Sequence, residues 1–158
     1  MKFLKAFCAP LMVVGMGLLI VGCAAKDGSG GSWDKDGDGS YDAGVGFGTL
    51  KRIYFPFDQS VITGTAADTL KDNVGTMKSN SSMRVLVEGH CDDRGTNEYN
   101  IALGERRAKT TLDYMVSMGV ARNRLEMKSW GEERPLSSGQ TEDSYRKNRR
   151  AEFVILAK

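Results

Sequence analysis

The apolar positions of this chain fall into three regimes. Residues 6–21 form an almost unbroken apolar run, interrupted only by Pro10, Gly15 and Gly17. Residues 24–49 hold no sustained period, and from about residue 50 strand and helix periods alternate. Lys51–Phe57, rich in Ile, Tyr and Phe, reads as a first strand, which Pro56 places at an edge or ends early. Thr63–Ser79 sets Ala67, Leu70, Val74 and Met77 at helical spacing, with Thr63 or Thr65 as N-cap. Met83–Glu88 alternates Met83, Val85 and Val87 against Arg84, Leu86 and Glu88, the pattern of a half-buried strand. Polar Gly89–Glu98 reads as a loop. Tyr99–Met118 then reads as a second helix with Leu103, Ala108, Leu112, Met115 and Val116 inward and Gly119 as its stop. Leu125–Trp130 is a third strand, Thr141–Lys147 a short helix and Ala151–Leu156 a last strand. The order β-α-β-α-β-(α)-β predicts an α+β domain over 51–158, a single mixed sheet with helices packed on it.

The first apolar run follows Lys2 and Lys5, which is the layout of a secretory signal. It is shorter than the ~20 residues a membrane-spanning helix requires. Leu19-Ile20-Val21-Gly22-Cys23 resembles a bacterial lipobox. That resemblance implies cleavage after residue 22 and acyl chains on Cys23, and two or more chains hold a protein stably to a bilayer. Ala24, rather than an aspartate, follows the cysteine, which implies sorting to the outer membrane. The next stretch holds eight glycines in residues 24–49, too little apolar surface to offset chain entropy, and reads as a flexible tether. The chain therefore divides into a signal over 1–22, a lipidated tether over 23–50 and the domain over 51–158.

Within the tether, Asp34, Asp36, Asp38 and Asp42 with Gly39 copy the opening of a calcium loop. Val45 stands where the closing bidentate carboxylate belongs, so a solvated acidic linker is the plainer reading.

Charge and cysteine count narrow the chemistry. The 158 residues carry 22 Lys+Arg against 20 Asp+Glu, and Lys2 and Lys5 account for the whole excess. A near-neutral domain argues against a nucleic-acid binder, and in the basic run Arg146-Lys147-Asn148-Arg149-Arg150 the first two residues read as a solvated helix end. One histidine and three cysteines exclude multi-His metal enzymes and disulfide scaffolds. Cys8 leaves with the signal and Cys23 is acylated, so Cys91 is expected to be a lone buried thiol.

The densest chemistry lies in Gly89-His90-Cys91-Asp92-Asp93-Arg94-Gly95, at the C-terminal mouth of the second strand. Consecutive residues point to opposite sides of an extended chain, so His90 to Asp93 do not converge on a metal, and His90 and Cys91 do not form a thiol-protease dyad. His90 is expected to satisfy its hydrogen bonds within the loop. Of Arg106 and Arg107, about 100° apart on the helix, only one faces this loop. A guanidinium opposed to Asp92 either pins loop to helix as a salt bridge or holds a ligand carrying both a carboxylate and an ammonium.

With Tyr99-Asn100, Leu103-Gly104-Glu105-Arg106-Arg107-Ala108, Gly119-Val120 and Asn148-Arg149-Arg150, the loop resembles the OmpA-like peptidoglycan-binding domain family over residues 53–158. The resemblance implies binding to the diaminopimelate of the peptidoglycan stem peptide through Asp92 and Arg107, with Asp58 contributing and Phe57, Arg94 and Leu103 lining the groove. It implies a non-enzymatic protein without cofactor that links outer membrane to cell wall. With the lipobox, it also implies work beside the Tol system, including the periplasmic propeller protein TolB. A cell-wall hydrolase would need paired carboxylates in a cleft, which Glu105, Glu132 and Glu133 are too scattered to supply. A structural lipoprotein that binds only other envelope proteins is the remaining alternative.

Overall fold

The computed structural model describes residues 50–157; the expected signal, Cys23, the expected tether up to residue 49 and the Asp34–Asp42 string lie outside them. Among the described residues the chain runs β1 (Ile53–Tyr54), α1 (Gly64–Ser79), β2 (Arg84–His90) and α2 (Asn97–Ser117), then a 3-10 turn at Arg122–Arg124, β3 (Leu125–Gly131), α3 (Glu142–Asn148) and β4 (Arg150–Ala157). This is the alternation that the periodicity indicates. No helix among the described residues is long and apolar enough to cross a membrane.

The strands form one sheet in the order β1-β4-β2-β3. β4 runs antiparallel to both β1 and β2, whereas β2 and β3 are parallel, so the sheet is mixed. The last strand therefore enters the middle of the sheet. β1 is reduced to Ile53↔Ala151 and Tyr54↔Arg150 at the edge. Pro56 has no N–H to continue the ladder, and the final bond there is Phe55 N to Arg149 O at 2.9 Å.

α1 buries Ala66, Leu70, Asn73, Val74 and Met77. The inward alanine is Ala66 rather than Ala67. The helix lays the 66–70–74–77 stripe on the sheet, and Ala67 sits a further ~100° round the axis. Thr63 occupies the N-cap position without a side-chain bond. At α2 the cap is made: Thr96 Oγ1 accepts from Tyr99 N at 3.2 Å. Gly119 (φ +95°) ends this helix in the left-handed conformation.

α2 lies unusually close to β2, because Gly89 and Gly104 meet where any Cβ would collide. Val85 and Val87 share that helix-facing side of β2 and are fully buried with Leu112 and Met115. Glu88 and His90 project to the other face. β2 runs two residues beyond the expected Glu88, and Glu88 itself is buried rather than solvated. Trp130 covers it, with Nε1 donating to Glu88 Oε1 at 2.9 Å.

Candidate functional site

β2 delivers the chain into the 91–96 loop, and α2 fastens that loop from beneath. The Asn100 side-chain amide donates to the carbonyls of Asp92 (3.2 Å) and Arg94 (3.3 Å) and to the Glu132 carboxylate. Cys91 N donates to Gly131 O at 2.8 Å. The Cys91 thiol is buried, as expected, and donates to Asn100 O at 3.3 Å. Burial pushes its pKa up, with the Arg107 charge opposing.

Arg107 is the inward member of its pair and is completely buried, whereas Arg106 is exposed and lies over the Tyr99 ring. Its guanidinium donates from Nε to Gln59 O (2.8 Å), from Nη1 to His90 O (2.8 Å) and to Cys91 Sγ (3.4 Å), and from Nη2 to Pro56 O (3.2 Å). Four of its five N–H donors are thus engaged, and they join the segment after β1 to the end of β2. Burial lowers the Arg107 pKa, while Cys91 and Asp92 pull it back up.

Asp92 does not form the direct salt bridge with Arg107 that the sequence offers as one reading. It is buried, and its Oδ2 accepts from Arg94 Nη2 (2.6 Å), Arg94 Nε (3.2 Å) and Arg149 Nη1 (3.2 Å). All three bonds fall on one oxygen. Arg94 lies against the rings of Phe57 (4.2 Å to the centroid) and Tyr145 (4.3 Å) and reaches Glu142 at 3.5 Å. The hydrogen bond to Asp92 raises its pKa. Arg149 also donates to Glu142 Oε1 (2.8 Å) and Phe55 O (3.2 Å), closing a network of two acids and two arginines.

Asp58 follows β1 with a positive φ of 54° and accepts a hydrogen bond from the Tyr99 hydroxyl. Phe57 (55% exposed) and Tyr99 (46%) leave apolar surface in water beside these acids. Leu103 is buried, beneath the surface rather than along an open wall. The structure thus gathers Asp92 and Arg94 directly, brings Phe57 to them through Arg94, and uses Arg107 to hold the loops that carry Asp58 and Asp92.

Arg149, Glu142, Tyr145 and Gln59 were not singled out for the site by the sequence. Arg149 belongs to a quoted motif, yet its acid partner, Asp92, sits on another element. His90 departs from expectation more sharply. It ends β2 instead of lying in the loop, and neither ring nitrogen has a hydrogen-bond partner. Burial first, and Arg150 second, lower its pKa to about 3, which keeps the imidazole neutral.

This fold, with its loop–helix constellation, defines the class: residues 54–149 match the OmpA family, and the chain belongs to it. The particular relatives are peptidoglycan-associated lipoproteins. That of Pseudomonas putida is 39% identical over 146 residues, covering 84% of this chain and 87% of its own. That of Haemophilus influenzae is 36% identical over 156 residues, covering 95% and 96%. The crystal structure of the peptidoglycan-associated lipoprotein from Burkholderia pseudomallei matches with a TM-score of 0.64 at 35% identity, over 66% of this chain and 88% of that one. The C-terminal domain of Helicobacter pylori MotB shares the fold, with a TM-score of 0.63 at 18% identity over 68% and 84%.

Proposed function

We propose that this protein is an outer-membrane lipoprotein, anchored through acylated Cys23, whose 51–158 domain grips peptidoglycan non-covalently through diaminopimelate. The observation that carries the reading is the meeting of two loops under Arg107: one presents Asp58 and Phe57, the other Asp92 and Arg94. A free amino-acid end carries an ammonium and a carboxylate on one carbon. Asp92 Oδ1, which takes none of the three bonds made to that side chain, and Asp58 accept from the ammonium. Arg94 donates to the carboxylate, a charge-assisted pairing that arginine geometry favours, while buried Arg107 holds the two loops that present the acids. Phe57 and Tyr99 contribute apolar contact, and Leu103 backs the site from below.

Similarity over most of the chain to proteins named for their association with peptidoglycan supports this reading. The work is mechanical rather than catalytic: an anchor at one end, a clamp at the other and a tether over 23–50 between them. It requires no cofactor. Partnership with the Tol system, TolB included, completes the proposal.

Full-length protein in detergent should co-sediment with purified peptidoglycan, and a diaminopimelate-containing muropeptide should compete for it. Asp58→Asn should weaken sedimentation without lowering the melting temperature, because Asp58 is exposed. Prolonged incubation with labelled cell wall should release no soluble fragments. Sedimentation indifferent to the muropeptide, or accumulating fragments, would overturn the reading.

A further inference from the structure

Outside this site, three side chains with metal-binding chemistry meet on the face of the sheet opposite α2. Glu88 on β2 and Glu152 on β4 are cross-strand partners, and His90 stands two residues along β2 on the same face. One ligand-type atom from each lies within 4.8 Å of the other two. His90 is 1% exposed, and both of its ring nitrogens are without a hydrogen bond. Its Nε2 stands 3.8 Å from Glu88 Oε2, too far for one. A buried imidazole with both nitrogens idle is uncommon enough in folded proteins to call for a ligand.

The carboxylates are already oriented. Glu88 Oε1 accepts from Trp130 Nε1 at 2.9 Å. Glu152 Oε1 accepts from Arg150 Nε at 2.7 Å and Arg52 Nε at 2.9 Å. In each case Oε2 takes none of these bonds. An oxygen fixed by a donor while its twin stays open is how supporting residues orient the ligands of metal sites.

We propose that Glu88, His90 and Glu152 bind one divalent transition-metal ion of zinc's class, with water completing its shell. One nitrogen and two oxygen donors suit zinc, whereas calcium and magnesium gain nothing from imidazole. Of the neighbouring cations, Arg52 and Arg150 pair with Glu152 itself through Oε1, and Lys128 and Arg134 lie against the Trp130 ring. Their field holds the affinity below that of an isolated three-ligand site. A bound ion would tie β2 to β4 at the residue whose carbonyl accepts from Arg107.

His90 is the only histidine in the chain, so an untagged full-length protein in detergent gives a single imidazole signal. Titration with Zn²⁺ should shift both imidazole nitrogens in 15N spectra, saturate at one equivalent and raise the melting temperature with metal concentration. Mg²⁺ and Ca²⁺ should leave the imidazole unmoved, which also separates this site from Asp34–Asp42. Glu152→Gln should weaken Zn²⁺ binding by about tenfold or more. Should that variant fail to fold, the wild-type imidazole titration decides alone. Imidazole signals unchanged at millimolar Zn²⁺, or shifted equally by Mg²⁺, would overturn the proposal and assign the space to a buried water.

Discussion

Asp92 and Arg149 form an ion pair at 3.2 Å with side chains only 6% and 5% exposed. It joins the loop leaving β2 to the residue preceding β4, two points far apart in the chain. Removing Arg149 takes one buried charge-assisted bond from Asp92, which keeps Arg94, and costs about 1.5–3 kcal/mol. Arg149→Met should therefore lower stability to unfolding by that order. Arg94, the other partner of Asp92, is 35% exposed, so Arg94→Met should cost about 1 kcal/mol and register mainly as lost peptidoglycan sedimentation. Denaturant melts of the two variants check the ordering. Equal losses would show that Asp92 does not depend on the buried arginine.

Arg107 makes a different prediction. Truncation to alanine leaves the carbonyls of Pro56, Gln59 and His90 without their donor, at roughly 1–3 kcal/mol for each buried one. Arg107→Ala should thus unfold at several kcal/mol less than wild type, in contrast to a surface binding residue. Arg107→Lys should recover only part of this, since an ammonium cannot span three carbonyls with the planar reach of a guanidinium. A melting temperature unchanged in the alanine variant would contradict this role.

Gly89 is required by contact, not by backbone conformation. A Cβ there would lie 1.9 Å from the Gly104 carbonyl oxygen. Gly89→Ala should push α2 away from β2 and destabilise the fold by about 1–3 kcal/mol or more. Because α2 carries Arg107 and Asn100, binding should fall with stability. Gly75, with open space around it, is the control, and Gly75→Ala should stabilise α1 slightly.

The Tyr99 hydroxyl donates to Asp58, and this bond is the first cause raising its pKa above the ordinary tyrosine value. A raised folded-state value means that the bond's contribution is fully present below the unfolded tyrosine pKa. It is lost as pH rises through the folded one. Site-resolved NMR should show Tyr99 titrating late, with Asp58→Asn restoring ordinary behaviour. Muropeptide should act in the same direction if its ammonium takes Asp58. A Tyr99 titration indifferent to Asp58→Asn would remove the bond from the account.

Cys91 is buried under Asn100 and Arg107. A thiol reagent should modify it slowly in the folded protein and rapidly in denaturant. Fast native modification, or ready disulfide-linked dimers, would show that the loop opens.

How far these features can be read from sequence depends on their range. Leu70, Val74 and Met77, or Val85 and Val87, disclose their elements because a helix or strand with one buried face must repeat its apolar residues at its own period. The pattern points to Ala67 where Ala66 is buried for a related reason: period locates a stripe only to within a residue where two alanines adjoin. The burial of Glu88 left no such trace, since Trp130, which covers it, lies on β3.

The sequence alone determined the alternation of strands and helices, the inward choice between Arg106 and Arg107 as a single one, and the motifs that mark the family. Each is local, written within a few turns of chain. Only the tertiary structure decided that β4 enters between β1 and β2. That placement brings Arg149 to Asp92 and Glu152 to Glu88 and His90. Periodicity tells which face of an element is buried. It does not say which distant strand will cover it, because that choice is made by the packing of the whole domain.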